Sequence, residues 1–302
     1  MLKRTCLFAL PLLFLGSAVF GQVTITPKFN EGESYKTKTS TKTDQKLTIA
    51  GQDGGTTSNT TLEQKTTVGK RDADGKLPLT IDTSILSAEI SLPGGAKIKF
   101  DAKDPDAKID TAGNPIAELV KDKLKSNAKM TTTIVLGKDN VVAEVQGIKP
   151  ESGVNAEDVK EEFAQKLKML PNKPLKKGDT WEEDVKVNLG QGQIFTLKRK
   201  FTFEGETTKS TVDSSRKVLK ITSVDSAVTF SVKEGGAAFK VTKSDLKVDE
   251  SKNTSLFDPE LGRSIEASSL LRVSGKITLS IANMDLPGDL DLTLSSQVEE
   301  IK

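Results

Sequence analysis

Apolar and polar residues alternate along much of the chain, most regularly in its second half. The alternating apolar positions include Val228, Phe230, Val232, Ile277, Leu279, Ile281, Leu290, Leu292 and Leu294. Successive side chains of a strand point to opposite faces, so this period of two predicts strands with one buried face and one face in water. Two earlier stretches, 130–136 and 141–145, flank the turn Gly137–Asn140 and predict a hairpin.

Two segments replace the alternation with the spacing typical of amphipathic helices. In the first, Asn114 is placed to cap the helix and Pro115 to occupy its first position. The second runs from about Ala156 to Leu170, with Asn155 as its cap and a proline as its stop. The apolar side chains predicted to pack against a sheet are Ile116, Leu119, Val120 and Leu124 in the first helix, and Val159, Phe163 and Leu167 in the second.

Short motifs recur at nearly the same spacing in the two halves of the chain. Gly32–Tyr35 opens a strand region in the first half, and Gly178–Trp181 opens one in the second. Further along, Gly94–Ala96 and Gly235–Ala237 each precede another strand. Loop-length differences absorb the small mismatch in spacing, so we interpret the two halves as copies of one supersecondary unit.

These elements predict an α+β fold that is mostly β. We expect two similar curved antiparallel sheets or half-barrels, each with a packed helix. The predicted organisation is a signal peptide at 1–21, a first β-rich repeat at 22–150, a connecting helix and linker at 151–175, and a second β-rich repeat at 176–302.

The first residues have the layout of a secretory signal peptide. Lys3 and Arg4 precede an apolar run, Cys6–Leu15, and small residues follow up to a predicted cleavage site after Gly21. The apolar run is too short to cross a bilayer, and we expect no transmembrane segment in the mature chain. The protein is therefore predicted to be periplasmic or extracellular, with Gln22 as the first mature residue.

The amino-acid composition excludes several kinds of functional site. The chain has no histidine, and its single cysteine, Cys6, lies in the predicted signal peptide. Disulfides, thiolate nucleophiles, the usual zinc sites and imidazole acid–base catalysis are thereby excluded for the mature chain. The 44 basic and 42 acidic residues are interspersed, so we expect no nucleic-acid partner.

No motif provides a catalytic, cofactor or metal site, and none is predicted. Asp101, Asp104, Asp106 and Asp110 lack the glycine and glutamate positions of a calcium loop and are interpreted as a solvated loop. Tyr35 and Trp181 are predicted to seal the core of each half in preference to contacting a ligand. The phenylalanines of the alternating strands are predicted to be core in preference to lining a cavity: Phe195, Phe201, Phe203, Phe230 and Phe239.

One mid-chain motif resembles a known family. Leu170–Trp181 is similar to the helix end and strand start found in a family of uncharacterised exported bacterial proteins of planctomycete type, and Phe257-Asp258 and Gly262–Ser264 resemble its later part. The resemblance implies export and a β-rich fold, and brings no catalytic residues. The expected architecture is also similar to that of the periplasmic lipid carriers LolA and LolB, by analogy of fold alone.

The leading functional hypothesis is an exported, non-enzymatic protein that binds an apolar small molecule or an envelope protein. One alternative is a structural module that pairs with a partner through an exposed sheet edge. Another is a carboxylate-dependent hydrolase, which requires two acidic side chains converging in one cleft.

Overall fold

The computed structural model describes residues 22–104, 111, 113–149, 154–190, 192–210, 215–233, 239–281 and 284–302. The predicted signal peptide lies outside the described residues. The elements, in chain order, are β1 (Val23–Thr24), β2 (Ser34–Ile49), β3 (Gln52–Val68), β4 (Leu77–Ser91), β5 (Lys97–Asp101), α1 (Pro115–Ser126), β6 (Lys129–Leu136), β7 (Val142–Gln146), α2 (Ala156–Lys168), β8 (Pro174–Leu175), β9 (Thr180–Gly190), β10 (Gln193–Ser210), β11 (Ser215–Val232), β12 (Lys240–Asp258), β13 (Arg263–Ile281) and β14 (Met284–Ile301).

One large antiparallel sheet dominates the molecule. It has 12 strands in the order β7-β6-β4-β3-β2-β14-β13-β12-β11-β10-β9, with β5 paired to β4 beside this path, and β1 and β8 form a separate two-stranded sheet. The predicted mostly β, α+β fold class is confirmed, as is the hairpin formed by β6 and β7.

The strands of the two predicted halves meet in the middle of the large sheet. β14 pairs with β2 along Gly288–Ile301 and Lys36–Ile49, so the halves share one sheet instead of forming two separate ones. Backbone hydrogen bonds form this pairing. Hydrophobic alternation does not predict it, because most residues of β2 are polar. The division of the chain into two duplicated units stays a prediction.

The strands that open the two halves begin in the same way. Gly32 has a φ of +78° and Gly178 one of +92°, the left-handed region that favours glycine. The Gly32 N–H donates to the Val68 carbonyl at 2.9 Å, and the Gly178 N–H donates to the Phe203 carbonyl at 2.7 Å. In both places the partner strand's N–H donates back to the carbonyl of the residue after the glycine, so each long hairpin is fixed at its open end.

Helix α1 has the predicted start but not all of the predicted packing. The Asn114 side chain accepts hydrogen bonds from two backbone N–H groups of the first turn, and Pro115 is the first helical residue. Val120 and Leu124 pack beside β5, as predicted, whereas Ile116 and Leu119 remain 61% and 56% exposed. The prediction for those two residues is wrong because β5 is only five residues long and gives the helix a narrow surface.

Helix α2 packs as the sequence predicts. Val159, Phe163 and Leu167 lie against a buried cluster formed by β3, β4, β6 and β7. The helix contacts both β7 and β9, which are the two ends of the strand order, so the sheet curves far enough for one helix to touch both. Gln165 bonds to both backbone groups of Lys186 on β9, its amide nitrogen donating to the carbonyl at 2.9 Å and its oxygen accepting from the N–H at 2.8 Å.

Candidate functional site

A cavity of about 440 Å³ lies against the inner face of the curved sheet. Its walls come from β2, from β9 to β14, from α2, and from a segment that we call the N-terminal strap, residues 25–29. The strap follows β1, which is held by β8 through the pairs Val23–Leu175 and Thr24–Pro174. Because Ile25 is fully buried, the strap is anchored at its start as well as along the cavity.

The size of the inward-facing side chains explains why the cavity exists. On β14 the inward series begins with Leu290 and Leu292, which are buried in a core cluster, and then changes to Ser296, which lines the cavity. On β13 the series changes in the same way, from the core residue Leu271 to Ser269. Ser269 and Ser296 are paired neighbours on adjacent strands. Two large side chains at these positions would fill this space, whereas the serines leave it open.

Cross-strand register places these small residues in one row. The row crosses six neighbouring strands in direct pairs and consists of Trp181, Phe201, Ser223, Asn253, Ser269 and Ser296. One end of the row is aromatic and the other is small and polar. The cavity floor is therefore a stripe across the sheet.

Core clusters lie on both sides of this stripe, and β10 shows the order. Its inward residues pass from Phe195 and Leu197 in one cluster, through Arg199 at the cavity, to Phe201 and Phe203 in the other cluster, and Phe201 also lines the cavity. The cavity thus lies between two packed regions of one sheet face and is open to solvent on one side.

Aromatic side chains form much of the wall. The Trp181 ring stacks on Phe201 with centroids 5.1 Å apart, and its indole N–H donates to the Met169 carbonyl at 3.0 Å. Phe163 of α2 and Phe29 of the strap complete this side. The prediction of a hydrogen-bonded tip for the tryptophan fits the structure, but the ring also faces the cavity.

The strand phenylalanines divide between core and cavity. Phe195 and Phe230 meet edge to face in the core, 5.2 Å between centroids, as predicted. Phe203 is buried in the other core cluster and Phe239 is partly buried beside the first. Phe201 belongs to the same core cluster as Phe203, as predicted, and it also lines the cavity.

A buried ion pair lies at one edge of the cavity. The Arg199 guanidinium donates to both carboxylate oxygens of Asp225, at 2.7 and 3.1 Å, and the Asp225 side chain is fully buried. Ser251 donates a further bond to the carboxylate at 2.7 Å and accepts one from the Asp225 backbone N–H at 2.9 Å. The Asp225 carboxylate therefore neutralises the positive charge of Arg199 within the protein.

A second arginine of the cavity, Arg263, is also paired with carboxylates. Arg263 donates to Glu33 at 2.6 Å and to both oxygens of Glu300 at 3.2 Å, and its guanidinium lies 4.0 Å from the centroid of the Tyr35 ring. Burial alone lowers the pKa of Arg263, but the two carboxylates outweigh it and the pKa is raised. Burial raises the pKa of Tyr35 against the lowering effects of Thr66 and Arg263, so its phenol is neutral in ordinary buffers.

Two lysines line the cavity where it meets solvent. Lys28 on the strap and Lys166 on α2 are both exposed. With the two arginines they make four cationic side chains at the cavity, and no Asp or Glu lines it among the residues that the structure describes. The paired acids that the hydrolase hypothesis requires are absent from the described part of this cleft.

The described members of the acidic cluster considered in the sequence do not line the cavity. Asp101 and Asp104 are exposed, whereas Asp106 and Asp110 lie outside the described residues. Across the described ranges, no group of three or more potential metal ligands occurs. No helix in that part of the chain is long and apolar enough to cross a membrane.

A family of unknown function (DUF6263) matches residues 74–247, more than half of the chain. The chain belongs to this family. The match to DUF6263 covers the strands from β4 to β11, part of β12 and both helices, and so includes Trp181, Phe201 and Phe163 of the cavity wall. No curated protein matches the chain.

Three solved structures give distant similarities. A structure described as lipid-protein interactions in lipovitellin has 10% identity and a TM-score of 0.47, covering 91% of this chain and 26% of its own. DynF of the dynemicin biosynthesis pathway of Micromonospora chersina has 8% identity, a TM-score of 0.21 and coverage of 97% and 92%. A DUF1329 family protein from Desulfovibrio piger has 10% identity, a TM-score of 0.15 and coverage of 86% and 85%. The chain spans about a quarter of the lipovitellin chain, and at these TM-scores no shared fold is established.

Sequence reasoning missed most of the cavity residues, although a signal for them existed. The inward positions of β13 and β14 change from large apolar residues to serine while the strand continues. Such a change at paired positions of two adjacent strands indicates that large side chains do not fill the space above that part of the sheet. The strap residues gave no comparable signal, because Lys28 and Phe29 lie outside any periodic segment.

Proposed function

We propose that this protein is exported from the cytoplasm and binds an apolar small molecule in the cavity, without catalysing a reaction. The observation that carries the proposal is a space of about 440 Å³ walled by aromatic and aliphatic side chains between two core clusters. Cavities of about 300–1,000 Å³ are the usual size for small-molecule sites in proteins.

The chemistry of the wall favours binding over reaction. Its polar groups are hydroxyls and side-chain amides, two arginines whose charges are paired with carboxylates, and two lysines at the solvent-exposed rim. Such groups orient a ligand and do not transfer protons readily near neutral pH. Export is supported by the layout of residues 1–21 described above.

The sheet-edge alternative has less support from the structure. β9, at one end of the strand order, has the backbone of Lys186 already bonded to Gln165 of α2. The β7 strand at the other end also contacts this helix. A partner strand that pairs with β9 at Lys186 would have to displace Gln165 of α2.

Native mass spectrometry of the protein purified from its own envelope, without detergent, tests the proposal. We expect an excess over the mass of Gln22–Lys302 that disappears on denaturation. The Ser296→Leu variant continues the inward leucine series of β14 into the cavity and should lose the excess mass. Its unfolding midpoint should not fall, because the new side chain enters an open space.

Ser295→Leu is the matched control, because Ser295 lies on the opposite face of the same strand and does not line the cavity. This variant should keep the excess mass. A wild-type protein whose mass matches the polypeptide alone, and which also fails to bind added hydrophobic probes, would overturn the proposal. Equal ligand loads in the two variants would place the ligand elsewhere.

A further inference from the structure

The cations around the cavity are unequally compensated. Arg199 is paired with Asp225, and Arg263 with Glu33 and Glu300. Lys166 pairs at 2.8 Å with Glu162 one helical turn away, and both side chains are more than half exposed. Exposed pairs of this kind contribute about 0–1 kcal/mol, so Lys166 is readily available to another anion.

Lys28 differs from the other three cations because it forms no ion pair with any residue that the structure describes. Its ammonium group donates to the Pro259 carbonyl at 2.7 Å, which occupies one of three N–H donors. Its backbone N–H donates to the Gly262 carbonyl at 3.1 Å. The lysine is therefore held in place by neutral groups, and no residue in the described ranges supplies a counter-charge.

The acidic residues nearest in sequence do not supply that counter-charge. Glu31 accepts a bond from the Arg71 backbone N–H at 3.2 Å, and Glu33 is bonded to Arg263. Together, Lys28 on the strap and Lys166 on α2 put two positive charges on two walls of the cavity, at its solvent-exposed rim. An apolar interior with a cationic rim complements a molecule with an apolar body and an anionic end.

We infer that the ligand is an anionic amphiphile, a hydrocarbon chain ending in a carboxylate or phosphate, whose head group is bound by Lys28 and Lys166. The inference rests on the proposed function and specifies its ligand class. The chain lies among Phe201, Ile221 and Phe163, and the head group remains in contact with water. This arrangement desolvates the apolar part without burying the charge.

Trp181 provides the measurement, because it is the only tryptophan and lines the cavity. The mature protein is titrated with dodecanoate, dodecyl phosphate, 1-dodecanol and dodecylammonium while Trp181 fluorescence is followed. We expect one or both anions to bind most tightly, the alcohol less tightly and the cation least. Added salt should weaken anion binding and leave alcohol binding unchanged.

Substitution of the two lysines tests the head-group contact. The double variant Lys28→Gln, Lys166→Gln should bind the anions about tenfold more weakly or worse, because charged hydrogen bonds are lost, and should bind dodecanol as the wild type does. Lys28→Arg, Lys166→Arg keeps the charges and should retain most of the affinity. Lys42→Gln is the control, since Lys42 is exposed on β2 and does not line the cavity.

The outcomes separate the two proposals. Binding of dodecanol and the anions with equal affinity, unaffected by the lysine substitutions, would overturn the amphiphile inference and leave an apolar binding site. Absence of binding by every probe would count against the proposed function itself. Unchanged binding of dodecanol by the double glutamine variant shows that the variant is folded.

Discussion

Tyr35 illustrates how one side chain serves both the fold and the cavity. Its ring lies under the Arg263 guanidinium, and the same ring faces the cavity. The ring is only half-buried, yet removal of water around the hydroxyl is the largest influence on its pKa. Charging this hydroxyl would place a phenolate beside Glu33 and Glu300, which also raises the pKa.

Tyr35 is the only tyrosine, so its titration can be observed without interference. We expect the folded protein to form phenolate at a higher pH than the chain unfolded in guanidinium, where the pKa is near 10.0. The folded state favours the neutral form of Tyr35. The resulting contribution to the free energy of unfolding is fully present below the unfolded-state pKa and is lost as the pH rises through the folded-state pKa. Ultraviolet absorbance of the phenolate against pH measures both midpoints.

The unfolded chain provides the control for this titration, because it contains the same tyrosine without its surroundings. A folded midpoint at or below the unfolded one would contradict the position of Tyr35 under Arg263 and against the cavity. Arg263→Gln should move the folded midpoint further upward. Loss of the guanidinium removes a positive charge and leaves the two carboxylates.

The N-terminal strap depends on a glycine of the turn between β12 and β13. Gly262 has a φ of +66°, and a Cβ atom at this position would lie 2.3 Å from Cβ of Lys28 and 2.4 Å from its backbone nitrogen. No side chain can occupy that space while the strap is in place. The close approach lets the Lys28 N–H reach the Gly262 carbonyl.

Substitution of Gly262 should therefore release the strap. We expect Gly262→Ala to speed tryptic cleavage after Lys28 and to weaken binding of cavity probes, because the strap can no longer pack on the turn. The left-handed conformation alone costs about 1–2 kcal/mol for a residue with a Cβ. Limited proteolysis followed by mass spectrometry measures the rate of cleavage at this bond.

Gly94→Ala is the matched control for this variant. Gly94 has a φ of +83° and no atom within 4 Å of its added Cβ, so it has a similar conformational cost without the clash. Cleavage after Lys28 should stay slow in this variant. Equal cleavage rates in the two alanine variants would show that the strap does not depend on Gly262.

Local signals in the sequence were sufficient for some elements and insufficient for others. The capping residue Asn155 and the spacing of Val159, Phe163 and Leu167 predicted both the position and the packing of α2. The same reasoning placed α1 correctly but overstated its burial, because the sequence does not show how wide a surface the neighbouring strand provides. The strap was missed because it is held by contacts with residues more than 200 positions away, such as Lys28 with Pro259.

At the scale of the whole molecule, the strand order was the least predictable feature. Between Tyr35 and Leu47 the inward face of β2 carries only threonine and glutamine, and its outward face carries lysine and other polar residues, so hydrophobic alternation gives no register for the middle of the strand. Its pairing with β14 joins residues from opposite ends of the chain. Pairings between strands so far apart in the sequence depend on the rest of the fold, and no short segment of the sequence predicts them.

This central pairing predicts that the two halves unfold together. β2 and β14 share a ladder over the length of Lys36–Ile49, and α2 contacts strands at both ends of the order. Unfolding of either half would therefore expose the apolar inner face of the other. Trp181 fluorescence, which reports on the second half, and far-UV circular dichroism, which reports on all strands, should give coincident transitions in urea.

Substitution at the central pairing tests this coupling directly. Thr43→Pro removes an N–H from the middle of β2, opposite Leu294, and should shift both transitions to lower urea by the same amount. Thr43→Val preserves the N–H and the strand conformation and should leave the midpoints close to those of the wild type. A circular dichroism transition that moves or splits while the Trp181 transition stays in place would show that the halves are independent units joined only along one edge.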